Sequence, residues 1–342
     1  MSRPPRPDAR RRFRTAAWRA VATLLHGSVL LAPAAQAAPA VAATGYPVKP
    51  VRWIVPYPAG ASNDVIARTI AQKLTSTWGA QVVIDNRAGA GGTIAAELVS
   101  RANPDGYTLL LANPGPSVNN PVLQRNPLYR VEAFAPVVFI GYTPLILVAH
   151  PGFEPASVRE LVQHCLAQPG KVSWGSVGYG SSVHIGLALF QAATRVDVLH
   201  VPYKGAAQAL TEIVGAQIQV MYSTLASADS QVKARRLKVL ATAGARRLPA
   251  LPDVPTLSEQ GVSGADAANW FGVVVPVATP AAIVRTLNTH VNAALGSGEV
   301  RQRLEGLGLT TAGGTAAEFG AYLQHEIARV RRLLAAGVLQ PQ

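Results

Sequence analysis

Ser181, Ser182 and His184 crowd into one stretch, GSVGYGSSVH (175–184). A serine hydroxyl beside an imidazole is the minimum for nucleophilic acyl transfer, if the ring can take the hydroxyl proton. The residues around them favour a different chemistry. Gly175, Gly178 and Gly180 leave backbone amides bare ahead of a helix start, where free N–H groups and the positive end of the helix dipole face an incoming anion. PYPAGASND (56–64) repeats the arrangement: Gly60 permits close backbone approach, and Ser62, Asn63 or Asp64 can cap the following helix. In VPYKG (201–205), Tyr203 and Lys204 stand between a strand and a helix. Each loop alone reads as a strand-to-helix turn. Three at equivalent places read as an anion cradle.

Other chemistries lack their residues. The glycine loop contains neither G-x-x-x-x-G-K-[ST] nor G-x-G-x-x-G, which argues against a nucleotide. There is no G-x-S-x-G elbow, no H-E-x-x-H and no His/Asp/Glu cluster of metal-ligand spacing, so no catalytic residue, cofactor or metal is expected. A hydrolase or transferase with Ser182 as nucleophile and His184 as base is the runner-up. The single cysteine, Cys165, excludes an internal disulfide and a cysteine-based metal site; in VRELVQHCLA (158–167) it follows the apolar positions of a helix and reads as a buried thiol.

The first 37 residues read as an export signal: seven arginines, the apolar AVATLLHGSVLLAPAA (20–35), and an A-x-A cleavage site ending at Ala37. The apolar part is too short and too broken to span a bilayer, and Sec is expected over the twin-arginine route that RRRF (10–13) also suggests. The net charge of +13 shrinks to about +7 without this leader, and the rest is scattered without aromatic interleaving, which argues against nucleic acid. At 342 residues and 49% apolar composition, the chain can bury a sizeable core in two lobes.

Apolar runs of strand length alternate with helical spacing. Strands are expected at 51–57, 81–85, 107–113, 171–176, 196–203, 218–223 and 237–244, with a long β-rich stretch over 134–151. Helices are expected at 64–74, 93–102, 155–167, 182–193 and 206–214. Such alternation implies an α/β fold with a parallel sheet covered on both faces. Near the C-terminus, Thr279 as N-cap and Pro280 as first helical residue start one helix, and Thr315 with Glu318 forms a capping box for another.

Six segments in order, KPVRWIVPYPAGASNDVIAR (49–68), VVIDNRAGAGGTIAAELVSRANPDGYTLLL (82–111), GSVGYGSSVHIG (175–186), HVPYKGAAQAL (200–210), LPALPDVPTLSEQG (248–261) and NWFGVVVP (269–276), resemble the signature segments of the Bug family, the extracytoplasmic solute-binding proteins of tripartite tricarboxylate transporters. The resemblance implies a two-lobed type II periplasmic binding protein (Venus flytrap) that closes on a small carboxylate and passes it to a membrane permease. Lobe 1 is expected over 46–145 plus 243–342 and lobe 2 over 146–242, with hinge crossings near 144–150 and 238–246. By matching position it nominates Pro58, Ala59, Gly60, Ala61, Ser62, Asp64 and Asn113 in lobe 1. In lobe 2 it nominates Ser176, Gly178, Gly180, Ser181, Ser182 and His184, with Tyr203, Lys204 and Gly205 nearby. Delivery to a permease and docking on a membrane kinase as a sensory partner use the same closed form.

Three positions depart from the family pattern. Ala61 stands where a second glycine is usual, which narrows the pocket. Ser223 and Thr224 follow Tyr222 where the family often carries Asp or Asn, so a ligand without an ammonium group is expected. NPLYRVEAF (126–134) replaces an L-P-Y-D-P loop without a readable consequence.

Overall fold

The computed structural model describes residues 45–342; the expected leader over 1–37 lies outside them. β1 (Val51–Val55), α1 (Ser62–Trp78), β2 (Val82–Asn86), α2 (Thr93–Ser100) and β3 (Thr108–Ala112) form a β-α-β-α-β run, followed by the short α3 (Asn120–Leu123) and the long β4 (Phe134–Ala149). A second run comprises α4 (Val158–Ala167), β5 (Ser173–Ser176), α5 (Ser182–Thr194), β6 (Leu199–Pro202), α6 (Ala206–Val214), β7 (Val220–Thr224), α7 (Leu225–Lys233) and β8 (Lys238–Thr242). The chain returns through β9 (Ala268–Pro276), α8 (Ala281–Gly296), α9 (Gly298–Gly306), β10 (Thr310–Thr311) and α10 (Ala316–Ala335).

The strands share one ten-stranded sheet in the order β2-β1-β3-β9-β4-β7-β5-β6, with β8 and β10 also on β4. β1 runs parallel to β2 and β3, and β5 parallel to β6 and β7. The expected parallel sheet is therefore mixed, because β9 is antiparallel to both β3 and β4. β4 joins the halves: Phe134–Pro144 pairs with β9, and Leu145–Ala149 pairs with β7 and β8. Residues 244–262, after β8, stay with the second half. Leu248 packs with Ile146, Leu210 and Leu225, and Gln260 bridges the Leu240 carbonyl and the Val158 N–H.

The apolar stripe of α1 explains its place. Ile66, Ile70 and Leu74 recur at helical spacing, are fully or almost fully buried, and pack with Trp53, Leu109, Leu287 and Phe271. A second cluster on the opposite side of the sheet draws on both halves, with Trp174, Phe190, Trp270 and Phe319 among its largest members. Cys165 belongs to it, and burial pushes its thiol up to about 11, as an inert core group requires.

Both halves of the Thr315/Glu318 capping box form. The start of α8 differs from expectation: Pro280 is the cap rather than the first helical residue, and Thr279 donates its hydroxyl back to the Pro276 carbonyl. Sequence spacing missed α7, whose LASADSQVK is too polar to show a stripe, and the π-helical turn Gly115–Asn119 that precedes α3.

Candidate functional site

The turn PYPAGASND joins β1 to α1 with Ala61 as N-cap, in extended backbone, and no side-chain cap. Ser62, Asn63 and Asp64 lie within the first helical turn instead. Asp64 is buried, accepts the Gly60 N–H at 2.9 Å and takes Arg68 Nε at 2.9 and 3.0 Å. Burial opposes its ionisation, but the bonds from Arg68 and Gly60 outweigh that and hold its carboxyl below the ordinary value. Gly60 is required for its φ of 81°, not for close approach, since a Cβ there meets nothing within 4 Å.

The second glycine loop is fixed from behind. Ser181 caps α5, its Oγ accepting the His184 N–H and donating to the Gly178 carbonyl at 2.6 Å. Ser176 Oγ lies 2.7 Å from His200 Nε2 and accepts the Gly178 N–H, and His184 Nδ1 accepts the Gly180 N–H at 3.3 Å. The two imidazoles lie 4.8 Å apart, each edge-on to Tyr179. Burial first, then the neighbouring His200, lowers His184 to about 4, and burial lowers His200. His184 is a neutral acceptor for the Gly180 N–H, and its own backbone N–H goes to Ser181 Oγ rather than to Ser182. The serine–histidine pair of the hydrolase reading does not assemble.

Between the two loops lies a small pocket. Tyr57, Ala61, Ser62 and Asn63 line it from the first half of the sheet, Ser182, Val183, Ala206, Ser223, Thr224 and Ser227 from the second, and Asn269 from β9. No ionised side chain lines it. Its electrostatics come from four helix starts at its wall: Ser62 on α1, Ser182 on α5, Ala206 on α6, and Ser227 in the first turn of α7. First-turn N–H groups have no acceptor within their own helix, and the dipoles add positive potential. Side-chain caps consume few of these donors: Ser181 takes the His184 N–H and Thr224 the Ser227 N–H, while α1 and α6 have no side-chain cap. The arrangement suits a small anion and provides neither a nucleophile–base pair nor, among the described residues, a cluster of three or more metal-ligating side chains.

Of the nominated residues, Ala61, Ser62 and Ser182 line this pocket. Pro58 lies under Gly205, where a Cβ would come within 2.8 Å of the proline ring. Ala59 and Gly60 are exposed, and Asn113 is buried, donating to Asn63 Oδ1 at 2.7 Å. Asp64, Ser176, Gly180, Ser181 and His184 shape the loops from behind, as described above. Gly178, Tyr203 and Lys204 line a neighbouring groove with Gly91 and Asn120. Sequence reasoning did not nominate Tyr57, Asn63, Val177, Val183, Ala206, Met221, Tyr222, Ser227 or Asn269 for the pocket. Recognising LASADSQVK as a helix would have exposed Tyr222 and Ser227, because ligands of such sheets sit where strands end and helices begin.

A charge-free pocket ringed by helix starts, between two halves of one mixed sheet, is built to hold a small solute. The chain belongs to the tripartite tricarboxylate transporter receptor family, whose model matches residues 66–339. BugT of Bordetella pertussis is 34% identical over 303 residues, covering 88% of this chain and 93% of BugT. Among solved structures, R. palustris Rpa4515 with adipate superposes with a TM-score of 0.84 at 32% identity, covering 87% of this chain and all of that one. MatC from Rhodopseudomonas palustris with bound malate gives 0.81 at 31%, covering 84% of this chain and all of MatC.

Proposed function

We propose that this chain is an exported, periplasmic receptor that captures a small organic carboxylate between its two sheet halves and presents it to the permease of a tripartite tricarboxylate transporter. The observation that carries this reading is a small pocket with four helix starts and no ionised side chain at its wall. A carboxylate there gains charge-assisted hydrogen bonds and helix-dipole energy with no arginine, and ordered water adapts the site to acids of different shape. The ligand-binding set is Ala61, Ser62, Asn63, Ser182, Ser223, Thr224 and Asn269, with Asp64, Ser176, Ser181 and His184 holding the loops in shape. The adipate and malate of two relatives make a dicarboxylate the first class to test. With no acidic side chain on the wall to take an ammonium group, amino acids bind poorly.

The halves act as lobes. Lobe 1 is residues 46–145 plus the C-terminal part from β9, and lobe 2 begins at 146. One crossing is at Pro144 and Leu145 in β4; the other lies beyond β8, with residues 244–262 travelling with lobe 2 because of the Gln260 and Leu248 contacts.

The test is a thermal-shift screen of the mature protein against mono-, di- and tricarboxylates, with hits confirmed by calorimetry. A ligand at about 100 times its dissociation constant stabilises by about 2.7 kcal/mol. A melting curve unmoved by every acid, in protein shown by mass spectrometry to carry none already, overturns the proposal. Saturating, tight binding of aspartate or glutamate overturns the part that excludes an ammonium group.

A further inference from the structure

Beside the pocket, and sharing no residue with its wall, the two sheet halves touch through a second contact. The turn Gly115–Asn119 is π-helical, a wider winding than an α-helix that occurs mostly as single turns and often at functional sites. It ends at Asn119, and the adjacent Asn120 begins α3; the two asparagines face different partners. Asn119, 4% exposed, donates its Nδ2 across to the Gly180 carbonyl at 2.6 Å. Asn120, 2% exposed, donates to the Gly91 carbonyl at 3.0 Å and to Thr93 Oγ1 at 2.9 Å, which holds the Ala90–Gly92 turn in place.

That turn and the second-half glycine loop meet backbone to backbone. A Cβ on Gly91 would lie 2.5 Å from the Tyr179 carbonyl oxygen, one on Gly178 would lie 3.3 Å from the Gly91 Cα, and one on Gly180 would lie 1.9 Å from Asn120 Oδ1. Asn120 Oδ1 is buried without a hydrogen-bond partner and faces Gly180 at this contact. Glycine at these three positions serves the approach of the halves as well as positive φ angles of 61°, 106° and 72°.

We propose that Asn119 forms a closure latch, with Asn120 bracing the turn opposite it: a clasp on the Gly178–Gly180 loop, made only when the halves meet, that lengthens the residence of the bound carboxylate without touching it. This rests on the receptor reading above. A hydrogen bond made only in the closed form shifts the open–closed balance, and affinity follows the closed fraction. Asn119→Ala therefore weakens binding about 10-fold, chiefly through faster release, and leaves the free protein's melting temperature unchanged. Asn119→Asp, isosteric but presenting an oxygen to the Gly180 carbonyl, weakens it at least as much.

The experiment uses the full mature chain with adipate as probe. Calorimetry and stopped-flow fluorescence give the dissociation constant and off-rate, and pulsed electron resonance between one spin label on each half gives the closed fraction with and without adipate. Faster release with an unchanged free melting temperature supports the latch; a residue that only supports the fold lowers that temperature instead. Either variant binding and releasing adipate like the wild type overturns it and leaves the receptor reading standing. If the wild type binds neither adipate nor any other acid of the screen, the receptor reading falls. The closed fraction of the free protein then decides the latch: lower in both variants supports it, unchanged overturns it.

Discussion

Ser182→Asp separates ligand binding from folding at a single position. Ser182 is the first residue of α5 and lines a pocket that contains no ionised side chain. A new carboxylate on the wall of so small a pocket sits about 5 Å from a bound one. At an effective dielectric near 20, the repulsion is about 3 kcal/mol, or about 200-fold in the dissociation constant. In the free protein the same carboxylate lies at a helix N-terminus, where it contributes about 0.3–1 kcal/mol of stability. The variant should therefore melt at or slightly above the wild-type temperature while losing, by calorimetry, the binding of any carboxylate that the thermal-shift screen identifies. Ser182→Asn, neutral and of similar reach, should stay within several-fold of the wild type. Undiminished binding by Ser182→Asp would place the carboxylate elsewhere. A large drop in the melting temperature would show that the residue supports the fold rather than the ligand.

Asp64→Asn should destabilise the protein by about 1–2 kcal/mol in urea titrations, because the Gly60 N–H and Arg68 lose a charged acceptor. The Asp64 carboxyl is lowered in the folded state, so its contribution is present above the ordinary value of 3.8 and is lost as pH falls through the folded value. The variant's melting temperature should vary less than the wild type's at the acid end. His184 behaves oppositely in origin but alike in sign. Its folded value of about 4 lies below 6.5, the unfolded chain binds more protons between the two, and stability falls as pH drops through that window; His184→Asn, which keeps an acceptor for Gly180, should flatten the profile. Gly272→Ala is a control whose residue does not line the pocket: its Cβ would come within 2.3 Å of the Phe319 ring, costing about 1–3 kcal/mol in stability while carboxylate affinity changes little.

The alternation of strand and helix, the capping box at Thr315, the burial of Cys165 and the glycine loops ahead of α1 and α5 were all legible in the chain, because each depends on residues a few positions apart. The family resemblance pointed to loops that flank the pocket, and several of the side chains it nominated bond within those loops. Asp64 is consumed by Gly60 and Arg68, Ser176 by His200 and Gly178, and His184 by Gly180. Whether a polar residue in a turn faces the cleft or braces the turn is decided by partners distant in sequence, such as His200 for Ser176.

By itself, then, the sequence determined that this is an α/β protein whose strand-to-helix turns can hold an anion, since local spacing and turn chemistry are written within single segments. Only the tertiary structure decided which turns face one another. The pocket joins Asn63, Ser182, Ser227 and Asn269, and the contact beside it joins Asn119 to Gly180. Those meetings follow from the order β2-β1-β3-β9-β4-β7-β5-β6 and from β4 passing between both halves of the sheet. Strand order is set by long-range burial of the sheet faces, a property of the whole chain that no local period records.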